Sequence, residues 1–258
     1  MVKDVYIVEG VEGLRKRRDE FINWSFFRKL WPVGSGSVPF RVVVLGAGPF
    51  GHALVELSEQ ADVLIEVPAR DVHESVLCWA EAVAEYLRNK VKVRKVTVVS
   101  PWDYSGRHSV DMRADAVFWG SFVNKVRALV DKGHLVLVHG DMAMNGEKFE
   151  VMGGDYIAPL LAKALDFSSM MFVSNCAVMN NFVDKKVVEK IDVRFDDEFE
   201  SCMERHGIVF WKVKDATGGM EAKVRSAFEL VKDTGKTVVV MDPDGNRTII
   251  TRGDVFGG

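Results

Sequence analysis

Four continuous apolar runs constrain the fold of this chain more than any other feature of its sequence. They cover residues 42–45, 96–99, 135–138 and 237–240 and are rich in valine. None shows the regular alternation of apolar and polar residues that marks a strand with one solvated face. Each run is therefore predicted to be a strand covered on both faces, as in a parallel sheet between helices.

Amphipathic segments separate these runs. Residues 71–89 and 114–131 each carry apolar side chains at helical spacing, which predicts two helices with one buried stripe each. The 258 residues are enough for one large α/β domain. We therefore expect an α/β fold, a three-layer α/β/α sandwich with a mainly parallel central sheet, in a single domain over residues 1–258.

Composition narrows the class of protein. The net charge of −3 gives no electrostatic reason to expect nucleic acid as a partner. The three cysteines, Cys78, Cys176 and Cys202, are far apart and have neither disulfide-framework nor zinc-ligand spacing. No apolar stretch approaches the length of a membrane span. We expect a cytoplasmic protein without a membrane partner or a bound structural metal.

A first glycine-rich turn follows the run at 42–45. Gly46, Gly48 and Gly51 match the pattern G-x-G-x-x-G, and His52 comes next. Such a turn between a strand and a helix places backbone N–H groups and a helix N-terminus against a phosphate. Because Glu66 ends the next apolar run, the turn by itself is also compatible with a dinucleotide-binding fold and a nicotinamide-dependent oxidoreductase.

Two further turns follow buried runs later in the chain. Gly140 and Asp141 close the run at 135–138, where open α/β sheets place their ligands. Gly153 and Gly154 precede an amphipathic helix, and Asp155 is predicted as its N-cap. Capping alone would explain either aspartate, so a structural and a functional role both stay open for Asp141 and Asp155.

The last turn is the most specific of the set. Residues 215–220 read Asp-Ala-Thr-Gly-Gly-Met, and Lys223 follows about one helical turn later. Thr217 can cap the helix, while Gly218 and Gly219 allow a phosphate to approach the backbone. The alternative interpretation of Lys223, without a functional role, is a solvated lysine on the helix surface. The motif favours a phosphate site instead.

In their order and in their amino-acid sequence these turns resemble those of the amino acid kinase family, and within it those of the isopentenyl phosphate kinases. The likeness runs from about Arg41 to Gly235. It implies an acceptor-side half at about 1–165 and a nucleotide-side half at about 166–258. It also implies a homodimer that uses ATP and Mg²⁺ to phosphorylate a small phosphate or carboxylate acceptor.

The resemblance assigns roles to individual residues. His52 would bind the acceptor phosphate, Asp155 would organise the charges around the transferred group, and Lys223 would contact the nucleotide phosphates; these three would be the catalytic residues. The remaining acceptor-binding positions would be Gly46, Ala47, Gly48, Gly51, Gly140, Asp141 and Gly154. The remaining nucleotide-binding positions would be Asn175, Asp215, Thr217, Gly218, Gly219 and Met220.

Two family motifs are absent from the sequence. The lysine-bearing turn after the first strand is replaced by residues 5–13, which contain Glu9 and Glu12 but no lysine. The nucleotide-side Thr-Asp-Val-Asp-Gly is replaced by residues 174–179. A catalytically degenerate member that binds a nucleotide, phosphate or oxyanion for regulation or storage is therefore the alternative to an active kinase.

Overall fold

The computed structural model describes residues 24–36, 40–46, 50–51, 66–104, 116–145, 148–174, 176–181, 183–210, 219–242 and 244–253. The chain divides into two compact units, Val2–Ile157 and Ala158–Gly258. We describe each unit by itself. That the whole chain forms a single domain stays a prediction.

A three-stranded parallel sheet forms the first unit. Its strands are β1 (Val42–Leu45), β2 (Val96–Val99) and β3 (Leu135–His139), in the order β1-β3-β2. All five residues of the central strand β3 are buried. The apolar runs therefore form the strands that the sequence predicts, and the absence of alternation reflects burial of β3 on both faces.

Helices cover this sheet. The first unit contains α1 (Trp24–Leu30), α2 (Glu66–Tyr86) and α3 (Ala116–Asp131). Helix α2 begins before the predicted residue 71, and Pro68 lies within its first turn, where proline is tolerated. A π-helical turn, Leu87–Val91, continues it, and Lys92 then ends the helix in a left-handed conformation (φ 72°).

Helix α2 buries the predicted stripe, which packs with α1 in the core of this unit. The buried members of the stripe are Val72, Val76, Trp79, Ala80, Val83, Tyr86 and Leu87. From α1, Phe27 and Trp31 join the same core. Two backbone hydrogen bonds join the chain after α1 to the π-helical turn that follows α2. Gly34 N–H donates to Lys90 O (2.8 Å), and Gly36 N–H donates to Val91 O (2.7 Å).

An antiparallel hairpin follows β3 after a single residue, Gly140. It consists of β4 (Asp141–Asn145) and β5 (Lys148–Met152), with Asp141 opposite Met152. Helix α4 (Gly154–Ala164) begins two residues after β5. Two close reversals of the chain therefore bring the end of β3 and the beginning of α4 to the same place.

The second unit contains a four-stranded sheet of mixed direction. Its strands are β6 (Ser169–Val173), β7 (Lys190–Val193), β8 (Thr237–Met241) and β9 (Arg247–Arg252), in the order β6-β8-β9-β7. Strands β6 and β8 pair in parallel, as do β7 and β9. Only β8 and β9 are antiparallel, because a tight turn links them directly.

Helices α5 (Phe199–Arg205) and α6 (Gly219–Thr234) pack in this unit, and the part of α4 from Ala158 onward contributes Ala162 to its core. The inner face of α6 contributes Val224, Ala227, Phe228 and Val231 to a core shared with β7, β8 and β9. Parallel strand pairs with helices packed on them confirm the predicted α/β class with a mainly parallel central sheet.

Candidate functional site

Three of the predicted acceptor-side glycines meet in the first unit. A Cβ atom on Gly140 would lie 3.2 Å from Gly154 N and 3.2 Å from Met152 O. A Cβ on Gly154 would lie 3.7 Å from the Cα of Gly46. The Gly140 N–H donates to Leu45 O (2.9 Å), which ties the end of β3 to the end of β1. We call Gly46, Gly140 and Gly154 the glycine junction.

Glycine at positions 140 and 154 follows from the close approach of neighbouring chain segments. Both atoms nearest to the Gly140 position belong to the main chain, so no side chain can rotate away to make room. A larger residue would have to displace the end of β5 or the beginning of α4. A backbone without side chains is also what lets an anion approach main-chain N–H groups.

Asp155 lies in the first turn of α4 and is half-buried. The prediction that it is the N-cap is wrong. The carbonyl of Gly153 accepts the N–H groups of Tyr156 (3.1 Å) and Ile157 (3.2 Å), so Gly153 holds the cap position. Asp155 is then inside the helix, where a carboxylate is favoured by the helix dipole.

Asp141 is the first residue of β4, and its side chain is fully buried. Its Oδ2 accepts hydrogen bonds from His73 Nδ1 (2.9 Å) and Ser100 Oγ (3.2 Å). Its Oδ1 accepts the N–H of Met142 (2.9 Å). Both carboxylate oxygens are thus occupied by protein donors, and the polar surroundings of Asp141 come from α2 and the end of β2.

His139 is the second imidazole beside Asp141. Its side chain is fully buried, and its Nδ1 lies 3.6 Å from Asp141 Oδ2 and 3.0 Å from Gly140 O. Its Nε2 has no hydrogen-bond partner among the described residues. Burial lowers the pKa of His139, outweighing the opposite effect of the Asp141 charge. Burial therefore disfavours the charged form of His139.

Aromatic side chains support the first glycine turn. The Trp79 indole donates from Nε1 to Gly46 O (3.2 Å), and its ring stacks on Phe50 (5.3 Å between centroids, 5° between planes). Phe27 of α1 meets the same indole edge-on at 5.4 Å. Helix α1 thus contributes to the packing behind Gly46, although the sequence around it matches no recognised motif.

In the second unit, Lys223 lies on α6 and is 4% exposed. Its Nζ lies 4.9 Å from the ring centroid of Phe172 on β6, within cation–π distance. This burial excludes the alternative interpretation of Lys223 as a solvated lysine on the helix surface. Gly219, with φ 60°, and Met220 begin the helix one turn earlier.

The remaining predicted positions lie outside the described residues. They are Ala47, Gly48, His52, Asn175, Asp215, Thr217 and Gly218. Gly51, which precedes His52, is buried in a helical conformation. The roles assigned to all these positions stay predictions.

A family model for the amino acid kinase family matches residues 39–242. The chain belongs to the amino acid kinase family. The matched segment contains all the glycine turns and Lys223, and family membership supports a phosphotransferase that acts on a small acceptor. Family membership also argues against a dinucleotide-binding fold as the interpretation of the G-x-G-x-x-G pattern at Gly46.

Several solved structures of kinases share the fold of this family member. An isopentenyl phosphate kinase in a substrate complex is 14% identical, with a TM-score of 0.62, over 88% of this chain and 90% of that one. The T. acidophilum isopentenyl phosphate kinase in a product complex has the same identity and coverage and a TM-score of 0.61. Carbamate kinase from Giardia lamblia bound to AMP-PNP is 15% identical, with a TM-score of 0.55, over 98% and 95%. No curated protein sequence shows significant similarity to the chain.

Two kinds of feature are absent from the described ranges of this family member. No group of three or more His, Cys, Asp or Glu side chains is arranged to hold a metal ion there. None of the helices in the same ranges has both the length and the apolar character that a bilayer crossing requires.

Sequence reasoning missed His73, Ser100 and the side chain of His139. His73 follows Val72 of the apolar stripe of α2, and nothing in the neighbouring sequence marks it as a partner of Asp141, which lies 68 residues away. One signal was available: His139 immediately precedes Gly140-Asp141 at the end of a buried run. A titratable residue at that end of a strand is a candidate site residue in an α/β fold.

The lowered pKa of His139 predicts a specific pH dependence of stability. Below its ordinary pKa of about 6.5 the unfolded chain binds a proton that the folded chain resists, so the free energy of unfolding falls as the pH falls. The slope is at most about 1.4 kcal/mol per pH unit. His139→Asn removes this titration and is expected to flatten the dependence between about pH 7 and pH 5. Urea unfolding at several pH values measures it, and equal slopes in both proteins would contradict the account.

Proposed function

We propose that this amino acid kinase family member transfers the γ-phosphoryl group of ATP to a small phosphorylated or carboxylated acceptor. An isopentenyl-phosphate-like acceptor is the best single choice. The observation that carries the proposal is the glycine junction, where the ends of β1 and β3 and the beginning of α4 approach at backbone distance. The junction places exposed Gly46, where a Cβ atom would meet nothing within 4 Å, at the carboxyl end of β1, and open α/β sheets bind their ligands at that end of their strands.

The acceptor would be bound by the first glycine turn, with His52 at its phosphate. Gly140 and Gly154 would complete the backbone surface, and Asp155 would orient charged groups around the transferred phosphoryl. Mg²⁺ would arrive as the MgATP complex, since Mg²⁺ in such enzymes is bound largely through substrate phosphates. Asp215, Thr217, Gly218, Gly219, Met220 and Asn175 would bind the nucleotide.

The reaction consists of attack by an acceptor oxygen on the γ-phosphorus and departure of the ADP β-phosphate oxygen. Its transition state spreads negative charge over the equatorial oxygens, so catalysis depends on positioned positive charge. Lys223 would supply that charge. Its burial would make it more effective than a solvated lysine, because the local dielectric constant is lower.

A second function rests on a specific observation. Residues 5–13 carry two carboxylates and no lysine where relatives place a lysine turn. A degenerate member would bind a nucleotide, phosphate or oxyanion without turnover. The missing lysine leads us to expect slow phosphoryl transfer even if the protein is a kinase.

Thermal-shift titrations with MgATP, isopentenyl phosphate and NAD separate these functions. A ligand present at about 100 times its Kd stabilises the protein by about 2.7 kcal/mol. A kinase responds to both MgATP and isopentenyl phosphate, whereas a degenerate binder responds to an anion or nucleotide without consuming it. Stabilisation by NAD alone would contradict the proposal.

We also propose that the protein is a homodimer. Sedimentation at micromolar concentration tests this.

A further inference from the structure

The charge balance around Asp141 requires explanation if an anionic acceptor is bound next to it. Asp141 follows Gly140 of the glycine junction directly, and its carboxylate is fully buried. An ionised carboxylate in that position would repel an incoming phosphate or carboxylate unless a positive group compensates for it. Its only ion-pair partners among the described residues are His73 and His139.

Of these two imidazoles, His73 is the closer and the less buried partner of Asp141. His139 is fully buried, and burial disfavours its charged form. His73 makes the shorter contact, 2.9 Å from Nδ1 to Asp141 Oδ2, and its side chain is 10% exposed. The stacked Trp102 indole, 5.0 Å away and inclined by 16°, also favours a cation. Its distance and partial exposure therefore make His73 the ion-pair partner of Asp141.

The contact with Asp141 also fixes how the His73 ring is used. With Nδ1 donating to the carboxylate, Nε2 is left as the second donor of the imidazolium. Nε2 hydrogen-bonds none of the described residues. Ser100 reinforces the arrangement, because its Oγ donates to the same carboxylate oxygen and accepts the N–H of Trp102 (3.1 Å).

We propose that His73, oriented by Asp141, is a further acceptor-binding residue that donates a charge-assisted hydrogen bond from Nε2 to an oxyanion of the acceptor. The inference rests on the proposed function for the identity of the acceptor. Two titratable groups lie beside the His73 ring, Asp141 on β4 and His139 on β3. Asp103, in the turn after β2, acts on His139. His73 contributes binding and charge compensation and takes no part in bond making.

His73→Gln tests the proposal, because glutamine keeps a hydrogen-bond donor but removes the positive charge. The KM for isopentenyl phosphate is expected to rise about tenfold, the difference between a charge-assisted and a neutral hydrogen bond, with little change in kcat. The KM for MgATP should stay unchanged. Binding of isopentenol, which has no phosphate, should also stay unchanged, and a merely structural role would not produce that selectivity.

His134→Gln is the matched control. His134 precedes the same strand β3 at its opposite end, and its Nδ1 contacts Thr97 Oγ1 (2.8 Å). This variant removes an imidazole from the same unit without touching Asp141. It should bind isopentenyl phosphate like the parent protein. A similar loss of affinity in both variants would overturn a specific role for His73.

Calorimetric binding of inorganic phosphate separates the failure of this inference from the failure of the proposed function. If the parent shows no turnover but its phosphate affinity depends on His73, the anion site stands and the kinase does not. If the parent turns over and His73→Gln binds phosphate and isopentenyl phosphate as tightly, the inference is overturned. No phosphate binding by the parent overturns it as well.

A crystal structure of the parent protein with isopentenyl phosphate gives a test that does not require a folded variant. The expected structure has a phosphate oxygen within about 3.2 Å of His73 Nε2. A phosphate bound elsewhere, with His73 Nε2 facing only protein atoms, would overturn the assignment.

Discussion

Replacing Lys223 with methionine is expected to lower kcat by about 10²- to 10³-fold, the cost of removing one preorganised electrostatic donor. The side chain is buried on α6 beside the ring of Phe172. Methionine fills a similar volume, so the packing is preserved while the charge is lost. Steady-state kinetics with MgATP and isopentenyl phosphate measure the effect, and the unfolding midpoint verifies that the variant is folded.

Lys232→Met provides the control on the same helix. The Nζ of Lys232 lies 5.7 Å from the ring centroid of Phe228 and donates to Asp197 O (2.7 Å). It therefore shares the aromatic surroundings of Lys223 without a predicted role in catalysis, and its kcat should equal that of the parent. Parental turnover in Lys223→Met would show that Lys223 has a structural role. Weaker nucleotide binding with no turnover in the parent would favour the degenerate binder.

Gly140→Ala is expected to disturb both folding and acceptor binding. The new Cβ would lie 3.2 Å from two backbone atoms, Gly154 N and Met152 O, so the chain must shift. Overpacking of this kind costs about 1–3 kcal/mol of unfolding free energy. The neighbouring backbone would have to move by a few tenths of an ångström. Since a displacement of about 1 Å at a reacting site costs about 10²-fold in rate, we expect a smaller loss of kcat/KM for the acceptor, less than about tenfold.

Gly120→Ala is the matched control for this substitution. Gly120 lies within α3, and a Cβ there would meet nothing within 4 Å. Alanine in a helix interior is favoured over glycine by about 0.5–1 kcal/mol, so this variant should be slightly more stable and equally active. If Gly140→Ala is likewise as stable and as active as the parent protein, the close packing of the glycine junction is not needed for folding or for acceptor binding.

The sequence predicts the fold well because burial and periodicity are local properties. The run at 96–99 forms β2 with the predicted bounds, and the stripe of α2 is buried as expected. The boundaries are less predictable. Helix α2 begins at Glu66 rather than at residue 71, and the cap of α4 is Gly153 rather than Asp155. A helix end depends on backbone conformation as well as on residue type.

The candidate site is only partly predictable for a different reason. Gly140 and Gly154 stand out because their motifs are local in sequence. The pairing of His73 with Asp141 joins residues on α2 and β4, and no periodic pattern encodes such a long-range contact. Helix α1 is a second example, because no local pattern predicts that its Phe27 packs against Trp79 of α2.

Phosphorus NMR of the protein incubated with MgATP and isopentenyl phosphate tests the central claim most directly. The proposed function predicts that the γ-phosphate signal of ATP falls while ADP and a new diphosphate pair increase in equal amounts. The missing lysine predicts a rate below the 1–100 s⁻¹ that is typical of kinases. Binding of MgATP without transfer to isopentenyl phosphate or to any of a panel of phosphorylated and carboxylated acceptors would contradict the account.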